Sequence, residues 1–277
     1  MTSATLNRKS RIPIFIGLCI LAASILYPVF FLAIAAFRPR LDYLRDPLGF
    51  PHEWTFANIL AVWNGYGAGA AFLRSLLVVS TALVIVLVFA ILAGYALAKF
   101  NPPFAKVITG SFVSVMLVPG QVLILPIYLM LSAVGLVGSY ASVILLYVAT
   151  SLPFAVFFLS LSFRSLGDEL LDAARVDGAG FFRTLVQIVI PMAKPSIATL
   201  AVLQFLGMWN ELLYALILLP DDSKRLLTPA LSMIGEKLVN NQPLVSAGLL
   251  IAATVPLLLL SLTSKYVVEG ISIGSSK

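Results

Sequence analysis

The stretch LLVVSTALVIVLVFAILAGYALA, from Leu76 to Ala98, contains no charged side chain. About 20 such residues, rising 1.5 Å each as a helix, cross the roughly 30 Å hydrocarbon core of a bilayer. Comparable apolar runs occupy residues 12–37, 107–131, 141–161, 196–219 and 245–262. The whole chain of 277 residues is 60% hydrophobic and 11% charged, with a mean hydropathy of +1.03. Soluble domains hold only about 45–50% apolar residues, so lipid is the solvent for most of this chain. A lipid-exposed backbone must satisfy its own hydrogen bonds, and no alternating barrel pattern is present. The expected fold is therefore an all-α membrane protein of six transmembrane helices, forming a single domain over residues 1–277.

The first run, 12–37, exceeds the roughly 7–15 residues of a signal-peptide core and is read as a retained helix, although Ala33-Ile34-Ala35 has a cleavage-like pattern. With six spans, both termini share a side. Lys and Arg number eleven in the two tails, at Lys99 and Lys106 and in residues 162–195, against seven in the opposite loops and at Arg74. The positive-inside rule then places both termini and residues 162–195 in the cytoplasm. The net charge of +6 is dispersed in short tracts between apolar segments and forms no basic face, so no nucleic-acid partner is expected. Cys19 is the sole cysteine and allows no internal disulfide. Pro28, Pro119, Pro126, Pro153 and Pro256 lie within the spans, where each removes a backbone donor and bends or interrupts its helix.

Residues 162–195 form a long loop between the fourth and fifth spans. Ser165 followed by Asp168 signals a helix start; Leu170, Ala173, Ala174 and Val176 continue at helical spacing, and Gly178 can close the helix in a left-handed conformation. The acids Glu169, Asp172 and Asp177 flank the small residues Ala173 and Ala174, a strip that a partner's surface could approach closely. A second amphipathic piece runs from Phe181 to Ile190, and Pro191 and Pro195 end it and begin the fifth span.

Asp172-Ala173-Ala174, Asp177-Gly178-Ala179 and Ile188-Val189-Ile190-Pro191 resemble the Glu-Ala-Ala loop of ABC importer permeases. The separation of Gly178 and Pro191, 13 residues, is also that of the family. Asp172 departs from it, standing where the family usually has Glu and reaching one methylene less far. Gly94-Tyr95-Ala96-Leu97-Ala98, Phe163-Arg164-Ser165, Trp209-Asn210-Glu211-Leu212-Leu213 and Val268-Glu269-Gly270 with Gly274 extend the resemblance to the carbohydrate-uptake branch, to the shorter permease of maltose, trehalose or glycerol-phosphate systems. The resemblance implies that Glu169, Asp172, Ala173, Ala174, Asp177, Gly178, Ala179 and Pro191 belong to a coupling helix and its closing turn. It further implies a homologous second permease, two copies of a cytoplasmic ATPase carrying ATP and Mg, an extracytoplasmic solute-binding protein, and residence in a bacterial inner membrane.

For the solute path, Trp209, Asn210, Glu211 and Tyr214 are the candidates, with Gln121 and Gln204 behind them. Glu211 falls about 12 Å inside the fifth span at 1.5 Å per residue. An acid at that depth faces a cavity or a partner. With its neighbours it can build a polar, aromatic patch that stacks on sugar rings, or it can hold helices together or meet the binding protein. His52, in the first outer loop, reads as a surface residue. No Gly-x-x-x-x-Gly-Lys-Ser/Thr phosphate loop or His-Glu-x-x-His occurs and no Cys/His pairing could build a nucleophile or a metal site, so no cofactor, metal or catalytic site is expected on this chain. The alternative is a secondary transporter driven by an ion gradient, which would place several ionisable groups at the membrane centre, where Glu211 stands nearly alone.

Overall fold

The computed structural model describes residues 8–100, 102–238 and 241–275. Every regular element among them is helical. Four helices are long and apolar enough to cross a membrane: α1 (Arg8–Ala36, apolar from Pro13), α4 (Ala68–Lys99), α7 (Tyr140–Arg164) and α13 (Gln242–Ser275, apolar as far as Ser264). Two bent pairs raise the number to six if each counts as one span.

The first bent pair corrects the reading of 107–131 only in degree, since Pro119 is expected there to bend or interrupt the helix. α5 (Ala105–Met116) and the run Gly120–Ala133, whose regular part is α6 (Ile124–Ala133), meet at 89°. Leu117 and Val118 close α5 with tight bonds to Ser114 and Val115, after which Pro119 can offer no donor. The other interior prolines act differently: α1, α7 and α13 continue through Pro28, Pro153 and Pro256. One missing bond in a long helix does not end it.

The second correction concerns 196–219. α10 (Lys194–Trp209) stops at Trp209, and a separate short helix, α11, covers Leu213–Leu218. α10 is itself the second arm of a bent pair, lying at 78° to α9 (Phe181–Met192) with the turn at Ala193. Pro195 sits in the first turn of α10, where its missing donor costs nothing. An additional helix, α12 (Leu227–Lys237), stands in the loop that follows.

The chain divides into two compact units, residues 1–69 with 231–253, and residues 70–230 with 254–277. In the first, the loop after α1 contains the short helices α2 (Arg40–Arg45) and α3 (Ala57–Leu60) and folds around Arg38, whose side chain is 1% exposed. The Arg38 guanidinium donates to Asp42 Oδ2 at 2.9 Å, to the Gly49 carbonyl at 2.8 Å and to the Asp42 carbonyl at 3.0 Å. His52 Nδ1 lies 2.7 Å from the other Asp42 oxygen with its side chain largely in solvent, and Asn58 donates to the carbonyls of Ala36 and Arg38.

In the second unit, α4 buries a stripe of small and branched residues, Val78, Val79, Ala82, Val86 and Ala90. α7 buries Val143, Leu146, Tyr147, Val156, Leu159 and Phe163. Gly94 lets these helices come close: a methyl there would stand 3.1 Å from Leu159 Cβ and 3.2 Å from the Ser160 nitrogen. Small residues at such crossings are the usual means of packing helices in lipid, where no hydrophobic force separates helix from solvent. Outward-facing residues remain apolar, among them Phe15, Ile20 and Leu26 of α1 and Leu77 and Phe89 of α4.

Candidate functional site

α8 spans Asp168–Val176, as the start and stop residues predict. Gly178 adopts φ +74°, and the Ala179 amide donates across the turn to the Ala174 carbonyl at 2.9 Å. This is a Schellman closure, in which a left-handed glycine just past the helix end lets a later amide reach back to an otherwise unpaired carbonyl. Leu171 and Ala174 are buried, whereas Glu169, Asp172 and Val176 are exposed, Val176 at 88%. Positions 169, 172 and 176 follow helical spacing and share one face. The expected small-residue strip is thereby corrected: Ala174 turns inward beside Leu171. The Ala173 side chain lies outside the described residues. The outward apolar residue is Val176, the last of the residues that continue at helical spacing before Gly178.

Beyond the turn, Asp177, Gly178 and Gly180 are exposed and Ala179 is half-buried. α9 then runs to Met192, with one wide turn over Leu185–Val189, and Pro191 lies in its last turn beside the bend into α10. Phe181, at the start of α9, packs against the α4 end: ring centroids stand 4.9 Å from Tyr95 and 5.4 Å from Phe100. Tyr95 also meets Phe163 of α7 edge-on at 6.4 Å. Lys99 Nζ donates to the Leu166 carbonyl at 2.7 Å, tying the end of α4 to the loop that leads into α8. These aromatic contacts were missed in the sequence; Tyr95 and Phe163 are quoted there only as parts of short motifs.

At the break after α10, the Glu211 carboxylate accepts the Tyr214 amide at 2.8 Å and the Ala215 amide at 3.0 Å, and Tyr147 Oη donates to it at 3.1 Å. It caps the start of α11, where free amides and the helix dipole favour an anion. Trp209 is buried, packed on Phe72 and Phe205 at 5.6 Å and 5.5 Å, and its carbonyl accepts from Thr228 Oγ1. Asn210 is exposed and bonds back to the Leu206 carbonyl. Tyr214 Oη has no hydrogen-bond partner among the described residues; it abuts Gly120, where a methyl would come within 2.5 Å of it. Gln204 donates to the Ser151 carbonyl of α7. Trp209 and Glu211 thus serve packing and capping, and Asn210 and Tyr214 keep polar groups uncommitted to a tertiary partner.

Residues 86–272, which contain α8, its glycine turn and the Glu211 break, match the family described as binding-protein-dependent transport system inner membrane component. The chain belongs to this permease family. It is a multi-pass membrane permease component of an ABC importer, a system in which the ATPase is a separate subunit and a binding protein is required. Nothing in the comparisons supports transport by an ion gradient. The permease is 33% identical over 231 residues to the diacetylchitobiose uptake system permease protein NgcG of Streptomyces coelicolor, covering 83% of this chain and 76% of that one. It is 29% identical over 259 residues to the melibiose/raffinose/stachyose import permease protein MelC of Bacillus subtilis, covering 93% and 94%. Its fold matches a chain of a bacterial ABC transporter that imports the acidic polysaccharide alginate, with a TM-score of 0.77 at 19% identity, over 95% of this permease and 99% of that chain.

Proposed function

We propose that this permease forms half of the translocation path for a sugar or short oligosaccharide in a bacterial inner membrane, as a single functional domain of six spans with both termini in the cytoplasm. The named relatives import oligosaccharides, which supports that solute class. The other half of the path is a homologous permease. Two ATPase copies bind ATP and Mg beneath the pair, and an extracytoplasmic binding protein delivers the solute. The chain itself carries no cofactor and performs no catalysis.

The observation that carries the coupling role is the face of α8 formed by Glu169, Asp172 and Val176, presented outward from a helix closed by Gly178. An apolar residue beside two acids suits insertion into a cleft of a partner with complementary charge. When ATP draws the two ATPase subunits together, α8 moves with them. The Phe181 contacts with Tyr95 and Phe100, and the Tyr95 contact with Phe163, pass that displacement to α4 and α7. The bends at Pro119 and Ala193 supply places where spanning segments can swing as the path opens to one side and then the other. Asn210 and Tyr214 are the side chains proposed to meet the solute, with Trp209 and Glu211 fixing the backbone between them.

The test is solute-stimulated ATPase activity of the reconstituted complex with Gly178→Pro. Proline fixes φ near −65°, opposite in sign to the +74° observed here, so the Schellman turn cannot form. Stimulation should disappear while the subunits still co-purify. Stimulation equal to wild type would remove α8 from the coupling role.

A further inference from the structure

Lys106, Thr109, Gly110 and Val113 of α5, together with Arg164 from the last turn of α7, line a cleft of about 350 Å³. The four α5 positions are spaced three and four apart and so lie along one helix face. Among the described residues, neither Lys106 nor Arg164 forms an ion pair. Both cations are exposed and border the cleft, whose wall is otherwise almost wholly apolar; Thr109 Oγ1, without a hydrogen-bond partner among the described residues, is closed off beneath that wall. An anion with several acceptor oxygens answers both cations: a guanidinium fork pairs two phosphate oxygens and an ammonium adds a point charge.

The face also changes character along its length. Val113 lies about 10 Å along the axis from Lys106, so the cleft runs from a cationic edge to an apolar wall. A free phosphate would use only the first part. A phospholipid would use both, with its phosphate at Lys106 and Arg164 and an acyl chain along Gly110 and Val113. Basic pockets between spanning helices are known as headgroup sites on the cytoplasmic side. We propose that this cleft binds the phosphate of an anionic membrane phospholipid, whose net negative charge the zwitterionic phosphatidylcholine lacks, and that this headgroup bridges α5 and α7. The cytoplasmic location of the site rests on the topology given under Proposed function; its existence does not.

The experiment places the full chain in nanodiscs of phosphatidylcholine alone or mixed with phosphatidylglycerol and follows acylation of Lys106 by peptide mass spectrometry. Lys194, exposed at the start of α10, reports the general effect of a negative surface. A cation near an anionic surface gains about fivefold in binding, an effect that both lysines share. Phosphatidylglycerol should slow Lys106 severalfold beyond Lys194, and Arg164→Gln should remove that excess. Equal protection by inorganic phosphate in phosphatidylcholine discs would keep the phosphate site but overturn the lipid as its source. Lys106 slowed no more than Lys194, or protection unchanged in Arg164→Gln, would overturn the site. Nanodiscs expose both faces, so this result is independent of topology; a membrane-impermeant reagent that labels Lys106 on intact cells would instead overturn the assigned side.

Discussion

Asp42 holds Arg38 in place through its side chain and its carbonyl, and the loop from 38 to 58 is folded about that pair. The Arg38 hydrogen bond is the main cause that keeps the Asp42 carboxyl below its ordinary value of 3.8; desolvation is the next largest and opposes it, and the His52 bond adds to the lowering. A depressed carboxyl stabilises the fold above its unfolded value and loses that contribution as pH falls through the folded one. Hydrogen exchange at the Thr55 amide, which is bonded to the Phe37 carbonyl, should therefore stay slow from neutral pH down to about 4 and quicken only below it. Quickening well above pH 4 would mean that the Arg38–Asp42 pair does not govern the loop. Glu211 invites a second test. Its carboxylate is occupied by two amides and a tyrosine, so Glu211→Ala should lower stability by about 1.5–3 kcal/mol, the worth of hydrogen bonds to a charged group. Glu211→Gln should retain the solute KM of the assembled transporter. A raised KM with unchanged thermal stability would make Glu211 a solute ligand.

At the scale of elements, the crossing of α4 and α7 depends on Gly94, because the closest approach is to backbone and Cβ of the facing helix, not to a flexible side-chain end. Gly94→Val should force the helices apart and destabilise the permease by about 1–3 kcal/mol, the usual cost of overpacking, read as a lower melting temperature in detergent. Gly17→Val, at a position open to space on α1, should leave it unchanged. Much at this scale is legible in the sequence. α8 begins and ends where Asp168 and Gly178 indicate, because a cap and a left-handed glycine are local chemistry. An interruption at Pro119 is expected from its missing donor, but nothing marks it apart from the prolines that sit in unbroken helices, and the break at Asn210 is not legible because an apolar run reads alike whether its helix is straight or bent. The inward turn of Ala174 is equally hidden. Helical spacing gives the stripes of α8, but which stripe meets its own protein depends on where Phe181, Tyr95 and Lys99 anchor the loop. For the path, Trp209 and Glu211 are found by composition, yet their roles are set by Phe72, Phe205 and Tyr147, which come from other helices.

For the whole molecule, the decisive question is whether this chain can move a solute by itself. Half a path has no closed wall, and a helix bearing exposed Glu169, Asp172 and Val176 has nothing to follow without its ATPase. The full chain alone in liposomes should accumulate no labelled melibiose or raffinose, either with ATP outside or with a proton or sodium gradient. The same liposomes containing the second permease, the ATPase pair and the binding protein should accumulate the oligosaccharide that the binding protein recognises, and omitting the binding protein should abolish uptake. Accumulation by the isolated chain along an ion gradient would refute the ATP-driven reading outright. Uptake by the complex that survives Phe181→Ala unchanged would refute something narrower. In the proposed coupling, the exchange of motion between α8 and the spans runs through that ring, whose contacts with Tyr95 and Phe100 are each worth about 0.5–1.5 kcal/mol. Losing them should leave ATP hydrolysis in place but weaken its control by solute, the signature of a loosened linkage between two working parts.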